Sequence, residues 1–203
     1  MQNVIKAVLF DFGGVIADEG FWKGLQAIGK ESGLDPDDFF RTVDALIYET
    51  GYLVGRADEA SFWNAVRTKA GIRGTDAELT SEIMRRFVLR PPMIASVDHL
   101  RQKGFIVALL SDQTDWLDEI DGQTALFQHF DAIFNSFYTH KSKRDASVFR
   151  DVCSALGVKA GETLFVDDNI DHIKRARGQG LQTIHFTGID EYNKQIGNFI
   201  DLE

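Results

Sequence analysis

"TLFVDDNIDHIKRARGQG", residues 163–180, holds a strand, an acid pair and a helix in one run. Residues 163–167 (TLFVD) are short, apolar and β-branched or aromatic, as a strand buried on both faces of a parallel sheet should be. Ile170, Ile173 and Ala176 then recur at helical spacing, and Gly178 or Gly180 ends the pattern. Asp167, Asp168 and Asn169 lie at the junction. In open parallel sheets ligands bind beyond the carboxyl ends of the strands, so the acid pair stands where a site is expected.

The same pattern repeats on either side. Residues 6–12 (KAVLFDF), 105–111 (FIVALLS), 131–135 (DAIFN) and 182–187 (QTIHFT) read as further strands. Between them, 93–103 carries Ile94, Val97 and Leu100 on one stripe and stops at Gly104. Asp145 is placed to cap a helix bearing Val148, Phe149, Val152 and Leu156. Alternating strands and helices imply right-handed βαβ units. The predicted fold is α/β, a doubly wound, Rossmann-like parallel sheet.

Residues 18–90 depart from this alternation. Four helical patterns follow one another: Phe21, Leu25, Ile28; then Asp35-Pro36 opening Phe39, Val43, Leu46, Ile47; then Phe62, Val66, Ala70; then the capping box Thr75–Glu78 before Leu79, Ile83, Phe87 and Val88. Pro91-Pro92 closes the block. The predicted organisation is a core of residues 1–17 and 91–203, with a four-helix cap, 18–90, inserted between the first two strands.

A chain of 203 residues that is 44% hydrophobic and 26% charged can fold around an ordinary core. Its net charge of −9 argues against a nucleic-acid surface. It does not argue against a small anionic substrate, because one local cation and a metal override the mean field. The single cysteine, Cys153, lies on a helical apolar stripe and reads as core; it fits a reducing, cytoplasmic setting. No signal peptide is visible, and the apolar run Phe105–Leu110 is far too short to span a bilayer. A monomer or weak homodimer is expected.

Polar residues at the strand ends define the candidate site. The first strand gives Asp11, the second Ser111 and Asp112, and the fourth Asp167 and Asp168. Lys141 and Lys143 follow the third. Clustered carboxylates stay ionised only beside a cation, and hard oxygen ligands without His or Cys indicate Mg2+. A metal-held phosphate could then meet Asp11 as nucleophile, with Ser111 and a lysine binding the phosphoryl oxygens. The histidines, His140 and His172 among them, show no ligand spacing and read as structural or surface groups. Trp22, Phe21 and Trp63 read as cap residues, with Trp22 placed to line the pocket.

These residues in this order resemble the haloacid dehalogenase superfamily over nearly the whole chain. "LFDFGGVI" (9–16) is similar to its first motif, "ALLSD" (108–112) to the second, "KSKRDASVF" (141–149) to the third and "LFVDDNIDHIKRARGQG" (164–180) to the fourth. The insert resembles the type 1 cap of the subgroup with sugar-phosphate phosphatases and the N-terminal phosphatase domain of soluble epoxide hydrolases. "GRADEASFW" (55–63) is similar to a stretch of that cap. The resemblance implies Asp11 as nucleophile, Ser111 and Lys143 as phosphate binders, with Lys141 in reserve. Asp112 and Gly13 join the substrate-binding set. Mg2+ would be held by Asp11, Asp168 and the Gly13 carbonyl, with Asp167 nearby. The implied activity is hydrolysis of a small phosphorylated metabolite, sugar phosphates among the candidates, through an aspartyl-phosphate.

Two positions depart from the family pattern. Gly13 stands where a second Asp usually serves as general acid/base, a role contributing roughly 10²–10⁴-fold in rate. The substrate then carries a good leaving group, such as an anomeric, aryl or acyl phosphate; or Asp18 or Asp112 reaches the site; or activity is low. Arg144 replaces the usual Pro, making KSKR a small basic patch. Competing readings are a 2-haloacid dehalogenase, which the Asp167–Asp168 pair disfavours, and a catalytically weak module that binds a phosphometabolite or a protein.

Overall fold

The computed structural model describes residues 4–200, so the outer ends of the 1–17 and 91–203 ranges lie outside the described residues. Five strands, β1 (Ala7–Phe10), β2 (Ile106–Ser111), β3 (Ala132–Asn135), β4 (Thr163–Asp167) and β5 (Gln182–His185), form one parallel sheet in the order β3-β2-β1-β4-β5. Every neighbouring pair is parallel. Strand order reverses between β1 and β4, which makes the carboxyl ends of those two strands the topological switch point.

Both faces of the sheet are buried, which is why these strands read as continuous apolar runs rather than alternating ones. Leu9 and Phe165 face one core with Val148, Phe149, Ile173 and Ala176, while Val8, Phe10, Leu164 and Val166 face the other. Cys153 is buried in the first of these, its Sγ 3.5 Å from Thr163 Oγ1.

Four helices separate β1 from β2's own helix: α1 (Gly20–Glu31), α2 (Pro36–Glu49), α3 (Glu59–Ala70) and α4 (Asp76–Met84). Asp35, Asp58 and Thr75 cap α2, α3 and α4, each accepting the amide three residues on. Then come α5 (Pro91–Gln102), α6 (Trp116–Thr124), α7 (Ser136–Thr139), α8 (Ser147–Ala155), α9 (Ile170–Gly178) and α10 (Ile189–Ile196). Pro91-Pro92 forms the first turn of α5, where a missing N–H costs nothing.

The structure corrects several local readings. Helix α4 ends at Met84, before Phe87 and Val88. Phe87 is buried by packing outside the helix, and Val88 is 58% exposed. Asp145 does not occupy the N-cap of α8; Ala146 does, and Asp145 Oδ1 accepts the Ser147 amide at 2.9 Å in the turn before it. Helices α6, α7 and α10 lay outside the sequence reading, their apolar stripes being short and interrupted by polar residues.

Entry to and exit from the helical insert run side by side. Asp18 N donates to Val88 O and Arg90 N donates to Ile16 O, at 2.9 and 2.8 Å. The insert also seats directly on the core. Tyr52 Oη donates to Asp115 at 2.5 Å, Trp116 Nε1 donates to Glu59 at 2.9 Å, and Ser136 Oγ donates to the Leu53 carbonyl at 2.8 Å. Tyr52, Phe62, Trp63 and Trp116 pack as one aromatic cluster across this boundary. Trp63 is therefore buried core, in line with its reading as a cap residue.

Candidate functional site

The site forms at the switch point because β1 and β4 both end in acids there. Asp11 N donates to Val166 O at 2.9 Å, so the chain just past β1 stays zipped to β4. This holds Asp11 beside Asp167, the last residue of β4. Asp167 is fully buried.

Lys143 stands between the two acids. Its Nζ is 2.7 Å from Asp11 Oδ1 and 2.8 Å from Asp167 Oδ2, and the side chain is 1% exposed. Burial opposes its charge, but Asp11, Asp167 and Asp112 outweigh that and hold the lysine protonated well above its usual range. Burial likewise pushes Asp167 up, yet Lys143 and then His172 pull it well below the ordinary carboxylate range. Asp11 is shifted the other way. Burial raises it, and the charges of Asp167 and Asp168 add to that against Lys143. Three carboxylates around one ammonium leave the group as a whole short of positive charge.

Lys143 and not Lys141 enters the site. Lys141 Nζ turns away to Ser147 Oγ at 3.0 Å and to Asp151 at 2.5 Å. Arg144 goes to the insert instead, stacking 3.3 Å over the Tyr48 ring and pairing with Asp44 at 3.3 Å. The KSKR run is thus no basic patch; its three cations have three separate partners. Asp112 lines the cavity, but both its oxygens accept the Lys143 amide, at 2.8 and 3.1 Å. These bonds fix the loop that presents Lys143.

Asp168 comes against the first loop because Gly14 permits it. Gly14 has φ +80°, and a Cβ there would fall 2.0 Å from Asp168 Oδ2. Burial, then the charge of Asp167, raises the pKa of Asp168. Asp11 Oδ1 takes both the Phe12 amide, at 2.7 Å, and Lys143. Asp11 Oδ2 takes no donor among the described residues.

A cavity of about 400 Å³ opens over these groups. Asp11, Gly13, Ser111, Asp112, Lys143 and Asp168 line its floor, and Phe21, Trp22, Phe40, Ile47, Tyr48 and Leu53 from the insert line its wall. Five acids and one lysine face it: Asp11, Glu19, Asp44, Asp112 and Asp168 against Lys143. Trp22 lines the cavity, as its position suggested.

Two groups were missed from sequence. His172 lies in the cavity rather than on the surface, with Nδ1 3.2 and 3.3 Å from the Asp167 oxygens. It sits in the first turn of α9, whose N-cap Asn169 accepts the Asp171 and His172 amides. Asp11, Asp167 and His172 could together surround a cation, but the Lys143 ammonium already neutralises that spot. The second missed group is Glu19, the N-cap of α1, whose carboxyl is pushed up to about 7, mainly by burial. Asp18 does not line the cavity. Its carboxylate pairs with Lys23 at 2.6 Å and Arg90 at 3.3 Å, and Lys23 first among its partners lowers its pKa.

Residues 5–180 match the model of the haloacid dehalogenase-like hydrolases. Bifunctional epoxide hydrolase 2 of Rattus norvegicus is 29% identical over 115 residues, 53% of this chain and 20% of that protein. The chain thus spans a minor part of the length of that relative. A sesquiterpene phosphatase of Aspergillus oryzae is 23% identical over 193 residues, 92% of each chain. A solved enzyme of the same family from Bacteroides thetaiotaomicron superposes with a TM-score of 0.76, 22% identity and coverage of 93% of this chain and 97% of that one. The complex of that enzyme with magnesium and inorganic phosphate gives 0.69 and 22%, covering 89% and 93%.

Proposed function

The chain belongs to the haloacid dehalogenase-like hydrolase family, and we propose that it is a Mg2+-dependent phosphatase of small phosphate monoesters. The observation that carries this reading is Lys143, buried between Asp11 and Asp167 at the floor of a cavity shared with Ser111 and Asp168. One carboxylate held by a fixed cation, with its second oxygen unclaimed, is arranged to attack phosphorus. Lys143 and the Ser111 hydroxyl then meet the charge that spreads over the phosphoryl oxygens.

The donor set fits Mg2+. The Asp11 and Asp168 carboxylates and the Gly13 carbonyl would supply hard oxygens to it, all three residues lining the cavity, with Asp167 buried behind Asp11. Burial first, and then the charges of neighbouring carboxylates, raises the pKa of Asp11 and Asp168, and a divalent cation would favour their ionised forms. When bound, the metal would draw an anionic phosphate into a cleft lined by five acids. The Bacteroides relative crystallised with magnesium and phosphate supports this reading. We further propose that residues 18–90 act as the cap that recognises the leaving group.

The wall of the cavity refines the substrate class. Phe21, Trp22, Phe40, Ile47 and Leu53 offer apolar surface, and no cation of the insert lines the cavity. A largely apolar alcohol fits that wall better than a polyhydroxylated sugar. The sesquiterpene phosphatase likeness agrees with it. A 2-haloacid would bring its carboxylate to the same five acids, which disfavours that chemistry. Turnover of aryl, terpenoid and sugar phosphates, with Mg2+ and with EDTA, tests the proposal. Mg2+-dependent release of phosphate that is lost in Asp11→Asn is expected; failure to hydrolyse any ester refutes it.

A further inference from the structure

Position 13 lacks a carboxylate, but its space holds one. A Cβ built on Gly13 would lie 2.7 Å from Glu19 Oε2 and 3.6 Å from Phe87 Cε1. That 2.7 Å is close to the span from Cβ to a carboxylate oxygen within an aspartate. Glu19 Oε2 therefore stands at about the radius an aspartate oxygen would have on this loop. The loop folds back to allow this: Gly13 and Ala17 form a parallel bridge, and Ala17 pairs with Leu89. Glu19 Oε1 is anchored by the Trp22 amide at 3.1 Å, while Oε2 makes no hydrogen bond among the described residues. Glu19 also lines the cavity that Asp11, Ser111 and Lys143 share. The other two acids that could serve are engaged: Asp18 by Lys23 and Arg90, and Asp112 by the Lys143 amide.

We propose that Glu19 is the general acid and base of this site, taking from the start of α1 the role that the residue at position 13 cannot fill. The inference rests on the phosphatase reading above. In the first step an Asp11 oxygen forms the bond to phosphorus. The bond from phosphorus to the alcohol oxygen breaks, and the Glu19 carboxyl gives that oxygen its proton, so a neutral alcohol leaves. In the second step the Glu19 carboxylate takes a proton from water as the water oxygen attacks phosphorus. The bond to Asp11 breaks, releasing inorganic phosphate and restoring both acids.

Leaving groups separate this role from a structural one. With Glu19→Gln, kcat/KM for an alkyl phosphate should fall by roughly 10²–10⁴-fold, the usual contribution of general acid catalysis. For p-nitrophenyl phosphate, whose leaving group needs no proton, the fall should be far smaller. Mass spectrometry of the quenched reaction should then show phosphorylated enzyme accumulating, because the water step also loses its base. An equal loss on both esters, or no loss on the alkyl ester, overturns the assignment. Should Glu19→Gln not fold, the unaltered enzyme is measured across aryl phosphates of rising leaving-group pKa. A shallow dependence supports proton donation, and a steep one overturns it. If the unaltered enzyme hydrolyses neither ester, the phosphatase reading itself falls, and this assignment with it.

Discussion

Replacing Lys143 with Met tests whether the site is held together by one buried charge. The substitution keeps most of the side-chain volume and removes the ammonium. Lys143 is 1% exposed and bridges Asp11 at 2.7 Å and Asp167 at 2.8 Å. Removing one partner of a buried pair costs about 3–5 kcal/mol, because the remaining charge is left uncompensated. An exposed pair would lose only about 0–1 kcal/mol. For a domain of this size each kcal/mol shifts Tm by about 2–4 °C, so Lys143→Met should lower Tm by about 6–20 °C. The assay is thermal unfolding followed by circular dichroism in EDTA, across pH. In the native protein Asp167 titrates well below its unfolded value, so its contribution is present at neutral pH and lost only in acid. Without Lys143, burial dominates and the folded pKa of Asp167 rises above the unfolded one. The deficit should then be greatest near pH 7–8 and shrink as acidification protonates the carboxylates. Adding Asp167→Asn should restore part of the loss at neutral pH. A Tm within about 4 °C of the unaltered protein would match an exposed pair and refute the reasoning.

Gly14→Ala forces φ +80° on a residue with a Cβ and drives that Cβ to 2.0 Å from Asp168 Oδ2; calorimetric titration should show weakened Mg2+ binding, and an unchanged affinity would count against Asp168 as a ligand. Gly24→Ala favours the helix by about 0.5–1 kcal/mol. Its Cβ meets Ile83 Cα at 2.7 Å, and overpacking costs about 1–3 kcal/mol, so Tm should fall. Arg144→Ala removes the stack on Tyr48 and the pair with Asp44; stability should change by only about 0–1 kcal/mol, with a rise in KM as the cavity wall loosens. Lys141→Ala breaks contacts only with Ser147 and Asp151, and turnover should be unchanged.

The sheet was legible because strands buried on both faces leave unmistakable apolar runs. The four insert helices were legible because their stripes are wide and three start on strong caps. The floor of the site was legible for a related reason: topology alone brings the ends of β1, β2 and β4 together. Choosing Lys143 over Lys141 needed the structure, since the two lie two residues apart on one loop. The acid near position 13 was harder still. Asp18 and Glu19 are neighbours in the chain, yet only Glu19 lines the cavity. Only the register set by the Gly13–Ala17 and Ala17–Leu89 bridges turns Glu19 inward and leaves Asp18 to Lys23 and Arg90. No spacing in the sequence encodes that register. His172 was missed because one histidine without partners at ligand spacing gives no signal.

Moving the acid from the core loop to α1 changes what the insert has to do. Asp11, Ser111 and Lys143 belong to the sheet and its loops, whereas Glu19, Phe21 and Trp22 belong to a single turn at the start of α1. Under the proposed function, that turn both faces the leaving group and gives it a proton. Its position depends on helix packing that only small residues permit. A Cβ on Gly20 would fall 2.5 Å from the Phe87 ring, and one on Gly24 would fall 2.7 Å from Ile83 Cα. Phe87 in turn closes over the same space above Gly13 that Glu19 enters. The seating of α1 against α4 therefore sets the distance between proton donor and nucleophile. An ester whose alcohol fails to fill the wall formed by Phe21 and Trp22 should lose kcat as well as affinity, because binding energy from the leaving group is what holds it under Glu19.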